Sequence, residues 1–172
     1  MKNEILNKMF EGITPKSIFE VGYSDGVLLE DIGNHLGNVL LGGIEINEKD
    51  ATAADKRLKK WERTLFKGDA RSVPWPIPEK TFDVAFTVGL LMYVRNPLSV
   101  IQEMLHVARA RVVLAEPIYT ESGNIVDTAT GIPFDSYGER FNHDYLAQMT
   151  GAGIVPERKF FGDKIIYTIT KL

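Results

Sequence analysis

The 172-residue sequence contains no cysteine, which excludes disulfide bonds, thiolate metal sites and cysteine nucleophiles. It has no apolar run of membrane-spanning length, and its charged first residues, MKNEILNKMFEG, do not read as a signal peptide. Only three histidines occur, without ligand spacing, so we expect no metal site. The net charge of −3 gives no general attraction to nucleic acid or to an anionic membrane. These absences favour a cytoplasmic protein with no membrane partner.

Short apolar runs alternate with helical patterns along the chain, whose length fits one domain. The predicted strands are 17–21, 38–46, 64–67, 81–88, 111–115, 155–161 and 164–170. The predicted helices are 1–12, 25–35, 48–62, one opened by Asn96-Pro97, and one that starts at Asn142 or Asp144. This order predicts an α/β three-layer sandwich with a mostly parallel seven-stranded sheet. The tight turn Gly162-Asp163 predicts a C-terminal hairpin, so one strand must be antiparallel.

The segment SIFEVGYSDG, residues 17–26, predicts a strand, a tight turn and the start of a helix. Such a junction aims backbone N–H groups and the positive end of a helix dipole at an anionic ligand. Gly22 and Gly26 let a ligand approach the backbone closely. Glu20 places a carboxylate beside the same turn. The segment therefore predicts a site for a ligand that carries both a carboxylate and a cationic ammonium group.

The turn does not fit the nicotinamide fingerprint GxGxxG, because Ser24 and Val27 stand at its second and third glycine positions. The spacing instead resembles the first motif of class I S-adenosylmethionine-dependent methyltransferases, ExGxGxG, with serine at the middle glycine. The stretch GDARSVPWPIPEKTFDVAFTVGLLMYVRNPLSVIQEMLHVAR, residues 68–109, resembles the central segment of the small-molecule members. With Glu45 and the C-terminal hairpin, the resemblance covers nearly the whole chain.

The resemblance implies that S-adenosylmethionine is the cofactor and that the seventh strand lies antiparallel between the fifth and sixth. It also implies a set of cofactor contacts at the carboxyl ends of the strands. These are Glu20, Gly22, Tyr23 and Gly26 at the methionine end, Glu45 at the ribose, Ile46, Asp69 and Ala70 at the adenine, and the Val88 carbonyl at the ammonium. The residues alone leave two alternatives open. Glu45 would then be an ordinary solvated carboxylate at a strand end, and Asp69 would cap a turn through its side chain.

Methyl transfer from a sulfonium needs alignment and water exclusion, and it needs a base only when the acceptor must lose a proton. His143 is the candidate base, although it also fits a surface histidine at a helix start. Glu116, at the end of the fifth strand, is the second candidate catalytic residue; it faces the acceptor or bonds the backbone of the following segment. The acceptor site is expected between an N-terminal cap helix, 1–14, and an acceptor-side insert, 117–141.

The expected activity is methyl transfer to oxygen or nitrogen of a small polar metabolite. A protein that binds the cofactor without catalysis is one alternative. An RNA methyltransferase is another, because the run 56–63, KRLKKWER, is basic; a solvated outer helix face explains the same run. Nucleic acid is therefore not the expected partner, and the oligomeric state is left open.

Overall fold

The computed structural model describes Leu6 and residues 9–117, 143–162 and 164–171. The strands of the sheet are β1 (Ser17–Val21), β2 (Leu40–Glu45), β3 (Arg63–Lys67), β4 (Phe82–Val88), β5 (Ala108–Pro117), β6 (Glu157–Phe161) and β7 (Lys164–Thr170). The helices are α1 (Val27–Leu36), α2 (Glu48–Arg57), α3 (Pro97–Val107) and α4 (Tyr145–Gly151), with a 3₁₀ turn at Leu91–Tyr93.

The seven strands form one sheet in the order β3-β2-β1-β4-β5-β7-β6. Strands β1 to β5 are parallel, and β7 is antiparallel to both of its neighbours. This confirms the predicted fold class and the inserted last strand. The chain leaves β1 toward β2 on one side and returns to β4 on the other. Ligands of open α/β sheets bind outside the carboxyl ends of the strands at such a reversal, so β1, β2 and β4 position the candidate site.

Two apolar layers cover the two faces of the sheet. Every residue of β1 is buried, with Phe19 and Val21 in one layer and Ile18 in the other. The first layer packs under α3 and α4, and the second under α1 and α2. Alternation along the strand thus anchors β1 on both faces, as expected for a parallel strand in the middle of a sheet.

The N-terminal segment and the predicted insert are described only in part. Leu6, Met9 and Phe10 are buried in the layer with α1 and α2. The other residues of the predicted 1–14 cap helix are described from residue 11 onward only. The predicted 117–141 insert lies outside the described residues except for Pro117, which ends β5. Among the described residues, no helix has the length and apolarity required to cross a membrane.

Several element boundaries differ from the sequence prediction, and three of the differences have a clear structural setting. Helix α1 begins at Val27 rather than at residue 25, because Gly26 adopts a left-handed φ of 80°. Helix α2 ends at Arg57 rather than at 62, and Trp61 then packs so tightly on Gly33 that a Cβ there would come within 2.6 Å of the indole. Strand β5 begins at Ala108, directly after α3, rather than at residue 111.

Candidate active site

The turn after β1 is built by backbone conformations that an ordinary residue avoids. Gly22 has φ 76°, and its N–H donates to the Ile44 carbonyl oxygen at 2.8 Å. A Cβ at Gly22 would lie 3.0 Å from the side chain of Leu90, so glycine allows a close approach there. Ser24 has φ 49°, the left-handed region, at the position of the motif's middle glycine. Ser24 therefore adopts a left-handed conformation of the kind that glycine adopts readily, although it replaces one glycine of the motif.

Two residues assigned to the cofactor by resemblance pack inside the protein. Gly26 faces α2, where an added Cβ would lie 2.9 Å from the Ala54 Cβ. Tyr23 is 2% exposed, its ring lies against Gly43, and its hydroxyl donates to the Phe66 carbonyl oxygen at 3.3 Å. Burial raises the pKa of Tyr23 to about 12. Both side-chain positions thus support the turn, and only backbone atoms of these residues remain for a ligand.

Glu45, the last residue of β2, ties the turn after β1 to the start of α2. Its Oε2 accepts from the Ser24 N–H at 2.9 Å, and its Oε1 accepts from the Asn47 N–H at 2.8 Å. Asn47 in turn caps α2, since its side chain accepts from the N–H groups of the first turn. A carboxylate has about four acceptor positions, so Glu45 retains capacity for ligand hydroxyl groups.

Ile46, the next residue, is an aliphatic side chain that is 61% exposed at the end of a strand. Large apolar residues of this sheet are otherwise mostly buried within the described part of the chain. An exposed apolar surface beside a polar acceptor suits the face of an aromatic ring.

Glu20 is 4% exposed at the end of β1, and its Oε2 has no hydrogen-bond partner among the described residues. Burial, and secondarily the charge of Glu45, raise the pKa of Glu20 well above its usual value. A buried polar atom without a partner is costly. A cationic donor bound beside Glu20 would satisfy it, which fits the ammonium predicted for this ligand.

Asp69 follows β3 and is held by Arg71. Oδ1 of Asp69 accepts from the Arg71 backbone N–H at 2.9 Å, and Oδ2 accepts from the Arg71 Nη2 at 2.6 Å. The hydrogen bond to the Arg71 guanidinium is the main cause that lowers the pKa of Asp69. The neighbouring Ala70 carbonyl accepts from the Trp75 indole N–H at 2.9 Å. The carboxylate assigned to the adenine amino group is therefore already paired.

The end of β4 leads into a bend next to β5. Val88 lies opposite Ala115, and the Gly89 N–H donates to the Ala115 carbonyl at 2.9 Å with Gly89 at φ 66°. Glu116 follows on β5 and is fully buried, with Oε1 accepting from the Leu91 N–H at 3.3 Å.

Burial raises the pKa of Glu116 to about 8, although nearby backbone N–H groups and the Lys164 charge act in the opposite direction. Its Oε2 has no hydrogen-bond partner within the described residues. Of the two positions considered for Glu116, the described contact is to backbone, in the turn after β4. The insert, apart from Pro117, lies outside the described residues.

His143 precedes α4 and is partly buried. Its Nε2 lies 2.8 Å from the Val94 carbonyl oxygen, and its Nδ1 lies 3.3 Å from the Gln148 side-chain nitrogen. Since a carbonyl only accepts, Nε2 must carry the proton and Nδ1 must accept from the amide of Gln148. Asp144, and not Asn142, is the N-cap of α4, with its side chain accepting from the Ala147 N–H at 2.9 Å.

The sheet order defines the class I α/β methyltransferase fold, and ligands of such sheets bind in the crevice outside the carboxyl ends of β1, β2 and β4. A family model described as "Methyltransferase domain" matches residues 19–115, more than half of the chain. The chain therefore belongs to the methyltransferase-domain family and is an S-adenosylmethionine-dependent methyltransferase. No curated protein matches it significantly.

Solved structures of similar fold include several methyltransferases. A SAM-dependent methyltransferase from Aquifex aeolicus has a TM-score of 0.75 and 16% identity, covering 99% of this chain and 89% of that one. Magnesium protoporphyrin IX methyltransferase from Synechocystis PCC 6803, with bound SAM, has a TM-score of 0.68, 13% identity, and coverage of 99% and 78%. An rRNA methylase from Escherichia coli has a TM-score of 0.68, 17% identity, and coverage of 99% and 63%. At these identities the likeness shows the fold alone.

Two site residues, Leu90 and Arg71, and one site contact, that of Ser24, were not predicted from the sequence. Leu90 lies over Gly22, and its contact joins segments far apart in the chain, so no local pattern reveals it. Arg71 pairs with Asp69, and their i, i+2 opposite charges were a visible signal. The Ser24 N–H donates to Glu45, and the presence of serine in the glycine motif did not predict this contact.

Proposed function

We propose that this methyltransferase transfers a methyl group from S-adenosylmethionine to oxygen or nitrogen of a small polar metabolite, in the cytoplasm. The observation that carries the choice of a small acceptor over RNA is the pairing of the basic run 56–63. Arg57 contacts Asp25 and Glu30, both at 3.1 Å, and Arg63 contacts Asp55 at 2.8 Å. A phosphate backbone would have to displace these acids.

Lys60, a further cation of the run, is also engaged within the protein. Lys60 lies over the Trp61 ring at 4.1 Å and donates to the Asn34 side chain at 2.9 Å. The chain is acidic overall, with a net charge of −3. Nonspecific binding to nucleic acid depends on a surplus of cations that release counterions, and this charge balance does not supply one.

The proposed cofactor contacts follow the strand ends. Glu45 would accept from the ribose hydroxyls, Ile46 would pack on the adenine face, and Asp69 with the Ala70 N–H would bind the adenine edge. The Val88 carbonyl and Glu20 would meet the cationic amino-acid end. Gly22, Tyr23 and Gly26 would contribute their backbone, since Tyr23 and Gly26 pack inward. The fit is supported by the unpartnered Glu20 Oε2 and the exposed Ile46.

The bound cofactor supplies a methyl group on a positively charged sulfur, which is already activated for displacement. The protein then has to hold that group in line with the acceptor and keep water away. His143 and Glu116 are the candidate catalytic residues, and both already make contacts within the protein. The accepting nitrogen of His143, Nδ1, lies 3.3 Å from the Gln148 amide, and the Oε1 of Glu116 is bound to the Leu91 N–H.

That last observation favours a second candidate function, a protein that binds the cofactor without transferring its methyl group. The two functions differ in product. Incubation with methyl-labelled S-adenosylmethionine and a panel of hydroxylated and aminated metabolites should yield a labelled product, with total RNA as a parallel acceptor. Label in RNA, lost at raised salt, would favour an RNA substrate. Binding of S-adenosylhomocysteine with no label in any acceptor would favour the non-catalytic function.

A further inference from the structure

The two candidate catalytic residues contact opposite ends of the same short turn. The turn comprises residues 89–94, which follow β4 and include the 3₁₀ segment Leu91–Tyr93. Glu116 accepts from the N–H of Leu91, the first residue of that segment, at 3.3 Å. His143 reaches the carbonyl of Val94, the residue that ends it, at 2.8 Å. A single carboxyl and a single imidazole thus hold both ends of the turn.

Each contact matches the polarity of the end it occupies. N–H groups at the start of a helical turn have no partner within the turn and need an external acceptor. Glu116 supplies one, and the backbone N–H groups of Leu90 and Met92 also favour its charged form. The carbonyl of Val94, at the far end, needs a donor, and the Nε2–H of His143 supplies it while Gln148 fixes the ring.

The turn is also in contact with the first cofactor motif. The side chain of Leu90 lies where a Cβ on Gly22 would come within 3.0 Å. Leu91 and Met92 are buried, and the Gly89 N–H bonds Ala115 on β5. A shift of the turn would therefore move Leu90 relative to Gly22, whose backbone is proposed to contact the methionine end of the cofactor.

We propose that Glu116 and His143 are positioning residues that fix the turn 89–94 against Gly22, and that they act on the cofactor site through this turn rather than on the acceptor. The inference rests on the proposed function, since it concerns the same pocket. It differs from a role as acid or base, because a hydrogen bond to backbone can be made by a neutral amide of similar shape.

The experiment compares conservative and disruptive variants at each end of the turn. Glu116→Gln and His143→Gln retain an acceptor and a donor, respectively, whereas Glu116→Leu and His143→Leu retain only bulk. Binding of S-adenosylhomocysteine is measured by calorimetry for each. We expect the Leu variants to bind about tenfold more weakly and the Gln variants within about threefold of the wild type. Hydrogen exchange at the Leu91 amide should accelerate in Glu116→Leu and stay slow in Glu116→Gln.

Asp83 offers a control near the start of β4, at the opposite end of the strand from the turn. Its Oδ2 accepts from the Lys16 and Ser17 N–H groups at 2.8 and 3.2 Å, so it too is a carboxylate that binds backbone. Asp83→Leu should lower the melting temperature without changing the affinity for S-adenosylhomocysteine. A general loss of stability is thereby separated from an effect transmitted by the turn.

Wild-type affinity in both Leu variants would overturn the inference while leaving the proposed function intact. So would Gln variants that bind normally but lose methyl transfer and the associated limb of the pH profile, since that marks a proton-transfer role. Failure of the wild type to bind S-adenosylhomocysteine would count against the proposed function itself. If Glu116→Leu does not fold, His143→Leu tests the other end from a partly buried position.

Discussion

The Oε2 atom of Glu45 accepts a hydrogen bond of 2.9 Å from the backbone N–H of Ser24. The acid at the end of β2 therefore fixes the turn after β1, in a backbone conformation with φ 49° that serine rarely adopts. One side chain joins two of the strand ends that line the crevice. A change at Glu45 is expected to act both on a bound ribose and on the turn that holds the rest of the ligand.

Replacement of Glu45 by alanine should weaken S-adenosylhomocysteine binding by about tenfold or more, because a charged acceptor for hydroxyl groups is lost together with the anchor of Ser24. Calorimetry measures this directly. Glu45→Gln keeps one carbonyl oxygen and should fall between the wild type and Glu45→Ala. Equal affinity in all three proteins would show that Glu45 does not contact the ligand.

Substitutions at Ser24 should divide according to their tolerance of positive φ. Ser24→Gly relieves a left-handed conformation that costs about 1–2 kcal/mol, and the extra chain entropy of glycine offsets about 0.5–1 kcal/mol of this. The free energy of unfolding should therefore stay equal or rise by up to about 1.5 kcal/mol. Ser24→Val places a β-branched side chain in the same conformation and should destabilise the protein and weaken S-adenosylhomocysteine binding. Thermal melts and calorimetry distinguish them; a valine variant as stable as the glycine variant would contradict the turn geometry.

Arg71 should compete with the adenine amino group for Asp69. The guanidinium engages both carboxylate oxygens, and the arginine side chain is 57% exposed, so it can leave easily. Arg71→Ala should therefore tighten S-adenosylhomocysteine binding a few-fold at low salt, whereas Asp69→Ala should weaken it. The affinity gain should shrink as salt screens the wild-type pair. Weaker binding in Arg71→Ala would indicate instead that the arginine itself contacts the ligand.

The buried carboxyl of Glu116 should make stability depend on pH. Its pKa is about 8 in the folded protein against 4.5 for an ordinary glutamate, so the folded state keeps a proton that the unfolded state loses. Stability is then fully present below about pH 4.5 and falls as pH rises toward 8. Glu116→Gln mimics the protonated form, so its stability relative to the wild type should increase over this range by roughly 3–5 kcal/mol.

Urea unfolding of Glu116→Gln and of the wild type at pH 5, 6.5 and 8 gives the difference in their free energies of unfolding at each pH. Asp83→Asn is the control. Burial acts to raise the pKa of Asp83, but its backbone hydrogen bonds and Arg109 outweigh burial and lower it. Asp83 should therefore change the pH dependence of stability only at acid pH. A stability difference between Glu116→Gln and the wild type that is constant with pH would contradict a raised pKa at Glu116.

The sequence predicted the sheet well because buried parallel strands leave a strong local signal. The bounds of β1 and β7 agree with the prediction, since an apolar run that ends at Gly22 marked β1 and a turn opened β7. The end of α2 was wrong because the packing of Trp61 on Gly33 is a contact between distant segments. The start of β5 was wrong for a related reason: it was predicted at Arg111, but the pairing of Ala108 with Phe82 of β4 starts the strand three residues earlier.

Within the candidate site, residue types were easier to predict than side-chain partners. Motif spacing placed Glu20, Glu45 and Asp69 at neighbouring strand ends, where the structure has them. It did not reveal that Glu45 binds the Ser24 N–H, that Asp69 is paired with Arg71, or that Tyr23 packs under Gly43. Those contacts depend on how the loops at the carboxyl ends of the strands pack against each other, and the periodicity of a strand carries no information about that packing.

A crystal structure of the protein with S-adenosylhomocysteine tests the central claim most directly. The account predicts adenosine at the ends of β2 and β3, with its ribose hydroxyls on Glu45 and its base against Ile46, and the amino-acid end beside Gly22 and Glu20. A ligand bound elsewhere, or a crevice that stays filled by protein side chains at saturating S-adenosylhomocysteine, would contradict it.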